Sequence, residues 1–218
     1  MHAYVVFAHP TRQSFSGLVL EALCRGLSDG GHTFEVGDLY AMGFRPDMTL
    51  AEYRREMNVR GDRADSPLPT DVEQEHRRIS RADGLAFVFP LWWSDGPAML
   101  KGWFDRVWVC GYVYDYGVPG ETFPFRRLAV DRALVLCSAG NTAEILEQSG
   151  VAQSMKRIYT NDRVHPGSGV GQCEVVLLPG MADPQTAPQA RGRNLDTAYR
   201  LGRYFLTAAP EYLHRRTR

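Results

Sequence analysis

The sequence predicts a single α/β domain built on a doubly wound, five-stranded parallel sheet with helices on both faces. Three observations carry this expectation. Strand-like and helix-like runs alternate along the chain, the order that produces parallel sheets. Most of the strand-like runs are continuously apolar, which is the pattern of strands covered on both faces. The 218 residues, 44% of them hydrophobic, suit one domain with a full core, so residues 1–218 are read as that one domain.

Residues 3–8 (AYVVFA) form a short β-branched run and are expected as the first strand. The helix after it, over 15–27, puts Phe15, Leu18, Val19, Ala22 and Leu23 at helical spacing, with Ser14 as N-cap and Gly30-Gly31 as the stop. Residues 32–39 (HTFEVGDL) are more polar and fit a strand at the sheet edge. Residues 40–69 are irregular, with one short helix over 50–57. A loop this long in a compact domain is expected to serve function or to cover a neighbour. A charged helix over 71–81 leads into the third strand, 84–89 (GLAFVF). The helix over 97–109 carries Met99, Leu100, Trp103, Phe104 and Val107 as its apolar positions. Residues 132–137 (RALVLC) are the fourth strand and 143–158 a helix broken near Gly150. The fifth strand is 173–178 (CEVVLL), the last helix 194–206, and the tail HRRTR is expected in solvent. The stretch GSGVGQC (167–173) resembles a dinucleotide loop, but it precedes a strand instead of following one, so it is read as a turn.

Basic and acidic residues, 25 of each, cancel to a formal net charge of +0. Nucleic acid and anionic membranes attract net basic surfaces, so neither is expected as a partner. Near-zero charge does little to keep copies apart, which favours association. Cys24, Cys110, Cys137 and Cys173 form no C-x-x-C pair and have no histidines at metal-finger spacing, so no metal is expected. The first three lie in apolar surroundings and are read as small buried hydrophobes. The start MHAYVVFAHP lacks the basic region and long apolar run of a secretory signal, and no apolar run reaches the ~20 residues that span a bilayer. A cytoplasmic protein with reduced thiols is expected.

In such a sheet, ligands bind beyond the carboxyl ends of the strands, near the point where strand order reverses. After the first strand come His9, Pro10, Thr11, Arg12, Gln13, Ser14, Phe15 and Ser16, leading into a helix N-terminus. Exposed amides and the helix dipole favour an anion there, and Thr11, Ser14 and Ser16 can offer hydroxyls to a phosphate. An ordinary turn capped by Ser14, with His9 as a structural residue, explains the same pattern. No G-x-G-x-x-G or Walker loop stands at this position, which argues against a Rossmann dehydrogenase or a P-loop nucleotide site here. After the third strand come Pro90, Leu91, Trp92, Trp93 and Ser94. Two tryptophans in such a loop fit a flat ring system, or they cap the core. After the fourth strand, the small residues Ser138, Ala139 and Gly140 either admit a ligand to the backbone or simply make a flexible loop.

The segments HPTRQSFS (9–16), DLYAMGFRPDM (38–48), FPLWW (89–93) and LKGWFDRV (100–107), with the YVYDY run (112–116), resemble in order and spacing the NAD(P)H:quinone oxidoreductase family, flavodoxin-fold flavoproteins of the DT-diaphorase and drug-activity-modulator type. The likeness is specific over the first half of the chain and weak over the second. It implies a flavodoxin-like fold and a flavin, usually FAD, with FMN in relatives. It implies that His9, Thr11, Ser14, Phe15 and Ser16 hold the flavin phosphates, that Pro90, Leu91, Trp92 and Trp93 line the ring with amides near N5, and that Ser138, Ala139 and Gly140 meet its pyrimidine edge. It further implies that Tyr114 and Tyr116 border the nicotinamide and acceptor pocket across a homodimer interface. The sequence departs from the family at Ser94, where relatives carry an aromatic residue. It departs again at Cys137-Ser138-Ala139-Gly140, in place of a Thr-Thr-Gly-Gly loop, and over 141–150, which lacks the Tyr and His that relay charge and protons in well-studied members.

The function so implied is a ping-pong hydride transfer. NAD(P)H, as co-substrate, reduces the flavin at N5, leaves, and is replaced by a quinone-like small molecule that takes two electrons. The alternative is a non-catalytic, ancillary flavin-binding regulatory subunit. An electron carrier is disfavoured because carriers of this fold tend to be acidic for docking, whereas this chain is neutral.

Overall fold

The computed structural model of the chain describes residues 1–58, 67–114, 128–164 and 169–207. Five strands, β1 (His2–Phe7), β2 (Thr33–Asp38), β3 (Gly84–Pro90), β4 (Val130–Ser138) and β5 (Val170–Leu178), form one sheet in the order β2-β1-β3-β4-β5, with every pairing parallel. Among the described residues six α-helices stand between the strands, α1 (Phe15–Asp29), α2 (Leu50–Met57), α3 (Thr70–Ile79), α4 (Ala98–Val107), α5 (Ala143–Gln148) and α6 (Val151–Ile158), and α7 (Ala187–Tyr204) follows β5. A π-helical turn, Tyr159–Arg163, continues α6.

The apolar strand runs are buried on both faces because alternate residues serve different layers. Tyr4, Val6, Leu85, Phe87 and Phe89 face one core, filled by Ile79, Trp103, Phe104 and Tyr159. Ala3, Val5, Phe7, Ala86 and Val88 face the other, filled by Leu20, Leu23, Leu27, Leu201 and Phe205 of α1 and the α7 end. The order reverses between β1 and β3, so the loops leaving their carboxyl ends flank the crevice where such folds bind ligands.

The helix over 50–57 and the break at Gly150 stand where the sequence places them; Gly150 has φ 75, a left-handed turn suited to glycine. Other elements differ at their ends. Strand β5 begins at Val170, so residues 170–173, expected as a turn, lie in the strand; a left-handed Gly169 (φ 94) precedes them. Helix α7 begins at Ala187, earlier than expected, because its first turns are too polar for apolar periodicity to register. The tail beyond residue 207 lies outside the described residues.

Two buried charged groups organise the layer carrying α3 and α4. The Glu75 carboxylate, fully buried in the helix expected to be merely charged, accepts from Tyr4 Oη (2.5 Å), Trp103 Nε1 (2.6 Å) and Arg78 (2.7 Å). The buried Arg106 guanidinium donates to Asp71 at 2.6 and 2.9 Å, to Glu52 at 2.6 Å and to the Arg45 carbonyl at 2.5 Å. Residues 45–52 of the long excursion are thereby fastened to α3 and α4.

Candidate functional site

The loops after β1, β3 and β4 meet at the crevice and are joined by specific contacts. The Ser16 and Ser138 hydroxyls are 2.8 Å apart. The Leu91 amide donates to the Ser138 carbonyl at 2.7 Å. The His9 and Trp92 rings lie 5.7 Å apart. Three loops that the sequence offers separately therefore form one rim.

At the first loop, much of the expected phosphate-binding capacity is already engaged. Ser14 Oγ donates to the Thr11 carbonyl (3.0 Å) and accepts from the Gly17 amide (3.1 Å), so Ser14 acts as the helix cap. The Ser16 hydroxyl is buried against Ser138, and Arg12 Nε is paired with Asp38 at 2.7 Å. His9 Nδ1 lies 2.8 Å from the Thr11 carbonyl and 3.1 Å from its amide, closing the same turn. Thr11 Oγ1 accepts from the Gln13 amide (3.1 Å) and keeps its own proton to donate. The Phe15 and Ser16 amides open α1, where no intrahelical acceptor exists. The donors fitting an anion are thus these amides and Thr11. Gly17 was not singled out in the sequence. A Cβ there would stand 1.9 Å from the Arg12 carbonyl, so only glycine lets the loop fold this tightly onto α1.

At the second loop, Pro90 ends β3, Leu91 is half-buried, and Trp92 and Trp93 are 42% and 102% exposed. The two indoles therefore do not cap the core. The expectation that the loop amides face a ring needs correction. The Leu91 amide extends the β3–β4 ladder to Ser138, the Trp92 amide donates to Asp95 O (2.8 Å), and the Ala139 amide donates to Leu178 O (2.9 Å). Strand pairing at the ends of β3 and β4 consumes the Leu91 and Ala139 donors, and the local Trp92–Asp95 turn consumes that of Trp92. Among the described residues, the Trp93 and Gly140 amides retain no protein acceptor. The donor set, the exposed indoles and the small residues Ala139 and Gly140 fit a flat, phosphate-bearing cofactor.

Tyr114 is not brought to this rim by any described contact; its hydroxyl lies 3.5 Å from Glu56 of α2, and a bridge pairs it with Cys110. Tyr116 lies outside the described residues. Burial pushes the Cys24 thiol up to about 11 and that of Cys137 higher still, which suits inert core thiols.

An ion pair absent from the sequence reading supports the second loop. Arg163, from the π-helical turn, grips Asp95 with two bonds of 2.7 Å. Burial pulls the Asp95 carboxyl upward, but the bonds from Arg163 and the Gly96 amide and the Arg163 charge outweigh it and leave the group below the usual carboxylate range. No sequence signal pairs residues so far apart.

Comparison with known proteins agrees with this geometry. A family model described as the Flavodoxin-like fold matches residues 1–200. The chain is 36% identical over 157 residues to the ribosyldihydronicotinamide dehydrogenase [quinone] of Rattus norvegicus, covering 67% of each protein. It is 31% identical over 168 residues to NAD(P)H dehydrogenase [quinone] 1 of the same organism, covering 72% of this chain and 60% of that one. A solved NAD(P)H:quinone oxidoreductase from Methanothermobacter marburgensis is 50% identical, with 94% of this chain and 98% of that chain covered and a TM-score of 0.85.

Proposed function

The chain belongs to the flavodoxin-like fold family and, within it, to the NAD(P)H:quinone oxidoreductases, and from that premise we propose that it passes two electrons, as hydride, from NAD(P)H to a quinone or similar flat aromatic acceptor through a bound flavin. The observation that carries this reading is the joined rim of three strand-end loops with two tryptophans exposed on it. When bound, the flavin supplies hydride acceptance at N5 and delivery of both electrons to the acceptor.

The chain supplies position and charge. The Phe15 and Ser16 amides and the Thr11 hydroxyl hold phosphate, aided by the positive end of α1. His9 and Ser14 shape that loop, and Phe15, packed against the core, anchors it. Pro90, Leu91, Trp92 and Trp93 form the wall that excludes water from the ring, and the Trp93 and Gly140 amides donate to its polar edges. Ser138 and Ala139 hold the opposing loop in place through Ser16 and Leu178.

FAD is the flavin that the resemblance favours. A homodimer, with Tyr114 and Tyr116 bordering the acceptor, is supported by the exposed Leu50, Tyr53 and Met57 along α2, an apolar stripe that a second copy would cover. Among the described residues no helix is long and apolar enough to cross a membrane. Four free cysteines fit the reducing cytoplasm.

Steady-state kinetics test the shared pocket. Parallel double-reciprocal lines for NAD(P)H and a soluble quinone are expected, whereas intersecting lines refute alternating use of one site. A preparation that remains colourless after incubation with FAD and with FMN refutes flavin binding itself.

A further inference from the structure

The loop after β3 is strained in a way that its own bonds do not explain. Trp93 and Ser94 have φ of 50° and 64°, and they are the two non-glycine residues in the left-handed region among those described. Trp92 and Asp95 exchange backbone hydrogen bonds of 2.8 and 3.1 Å around them. The pair is therefore the centre of a tight two-residue turn of the kind that normally selects Asn-Gly, and a Cβ at either position is unfavourable. Such conformations persist only where the surroundings over-determine them.

The surroundings do so on the Asp95 side. The Asp95 carboxylate receives both Arg163 bonds and the Gly96 amide at 2.7 Å. The Arg163 side chain is 11% exposed, and its guanidinium lies 5.0 Å from the Tyr159 ring centroid and 5.6 Å from that of Phe104. Its carbonyl accepts from Trp108 Nε1 at 2.6 Å. The wider winding of Tyr159–Arg163 carries Arg163 out of the α-helical register of α6. A Cβ at Gly96 would lie only 3.1–3.3 Å from Leu100, Tyr159 and Phe89, so the loop sits directly on packed side chains.

We propose that the Asp95–Arg163 pair is a positioning latch that holds the Trp93–Ser94 turn in its strained form and so keeps both indoles presented to the ring of the cofactor or acceptor. The inference rests on the flavin reading above, but the latch can be read without flavin. Asp95 and Arg163 are positioning residues: they act through the turn and have no part in electron transfer.

The test uses Arg163→Gln, Asp95→Asn, Ser94→Gly and the Ser94→Gly/Arg163→Gln double variant. In flavin-free protein, time-resolved fluorescence anisotropy of Trp93 is taken as the difference from Trp93→Phe. With the latch intact the Trp93 indole is held at a fixed angle; Arg163→Gln and Asp95→Asn should give it a faster and wider local motion. In flavin-loaded protein, the same variants should weaken flavin binding or raise the quinone KM by about tenfold while changing kcat less. Ser94→Gly removes the strain at one position, so in the Arg163→Gln background it should restore most of both readouts. Unchanged Trp93 anisotropy decay and flavin affinity in Arg163→Gln overturn the latch. So does a fall in Tm that Ser94→Gly does not offset, which would mark the pair as merely structural. If wild-type protein binds no flavin, the functional reading fails, and the anisotropy comparison still decides the latch.

Discussion

The hydroxyls of Ser16 and Ser138 are hydrogen-bonded at 2.8 Å although 122 residues separate them. This buried contact ties the start of α1 to the end of β4, and with it the first and third loops of the rim. Ser138→Ala leaves the Ser16 hydroxyl buried and unpaired, at a cost of about 1–3 kcal/mol. The double variant Ser16→Ala/Ser138→Ala should recover a good part of that loss, because both polar groups then disappear. Urea unfolding of the three variants measures this. Additive losses would show that the two hydroxyls do not depend on each other.

Gly17→Ala places a methyl group 1.9 Å from the Arg12 carbonyl, so the turn before α1 must open. Such overpacking costs about 1–3 kcal/mol. The affected backbone is the proposed phosphate cradle, so flavin affinity should fall by at least ~10-fold, as a flavin titration of the apoprotein will report. Retention of wild-type affinity would place the phosphate elsewhere.

Arg106→Leu removes the cation buried among Asp71, Glu52 and the Arg45 carbonyl. Removing one partner of a buried ion pair typically costs about 3–5 kcal/mol, because the remaining charge is stranded. Denaturant midpoints should fall accordingly, and limited proteolysis should first cut the 40–57 excursion, which loses its anchor.

Acid should loosen the same excursion. Burial raises the Glu52 carboxyl, but bonds from Thr49, Arg45 and Arg106 prevail and bring it down to about 2. A carboxyl lowered on folding stabilises the fold fully above its unfolded value and loses that contribution as pH falls toward the folded one. Stability should therefore decline between about pH 4.5 and pH 2, and Glu52→Gln should flatten that decline. An unchanged acid limb would contradict the assignment.

What was legible in the sequence follows from what each signal measures. Unbroken apolar runs such as 84–89 report burial on two faces, so β3 and the doubly wound sheet were readable. The rim was legible as three loops, because strand ends and Trp92-Trp93 are local features. Which hydroxyls and amides remain available was not legible, since Ser14, Ser16, Leu91 and Ala139 are engaged by partners that only the fold brings near. Asp95 and Arg163, 68 residues apart, left no local trace for the same reason.

The most direct test of the central claim is an anaerobic titration of the flavin-loaded protein followed by its visible spectrum. The flavin band should bleach with one equivalent of NADH or NADPH per bound flavin and return in full on addition of one equivalent of a soluble quinone. A bound flavin that neither nucleotide bleaches, or that stays bleached in the presence of the quinone, would contradict the assignment as an NAD(P)H:quinone oxidoreductase.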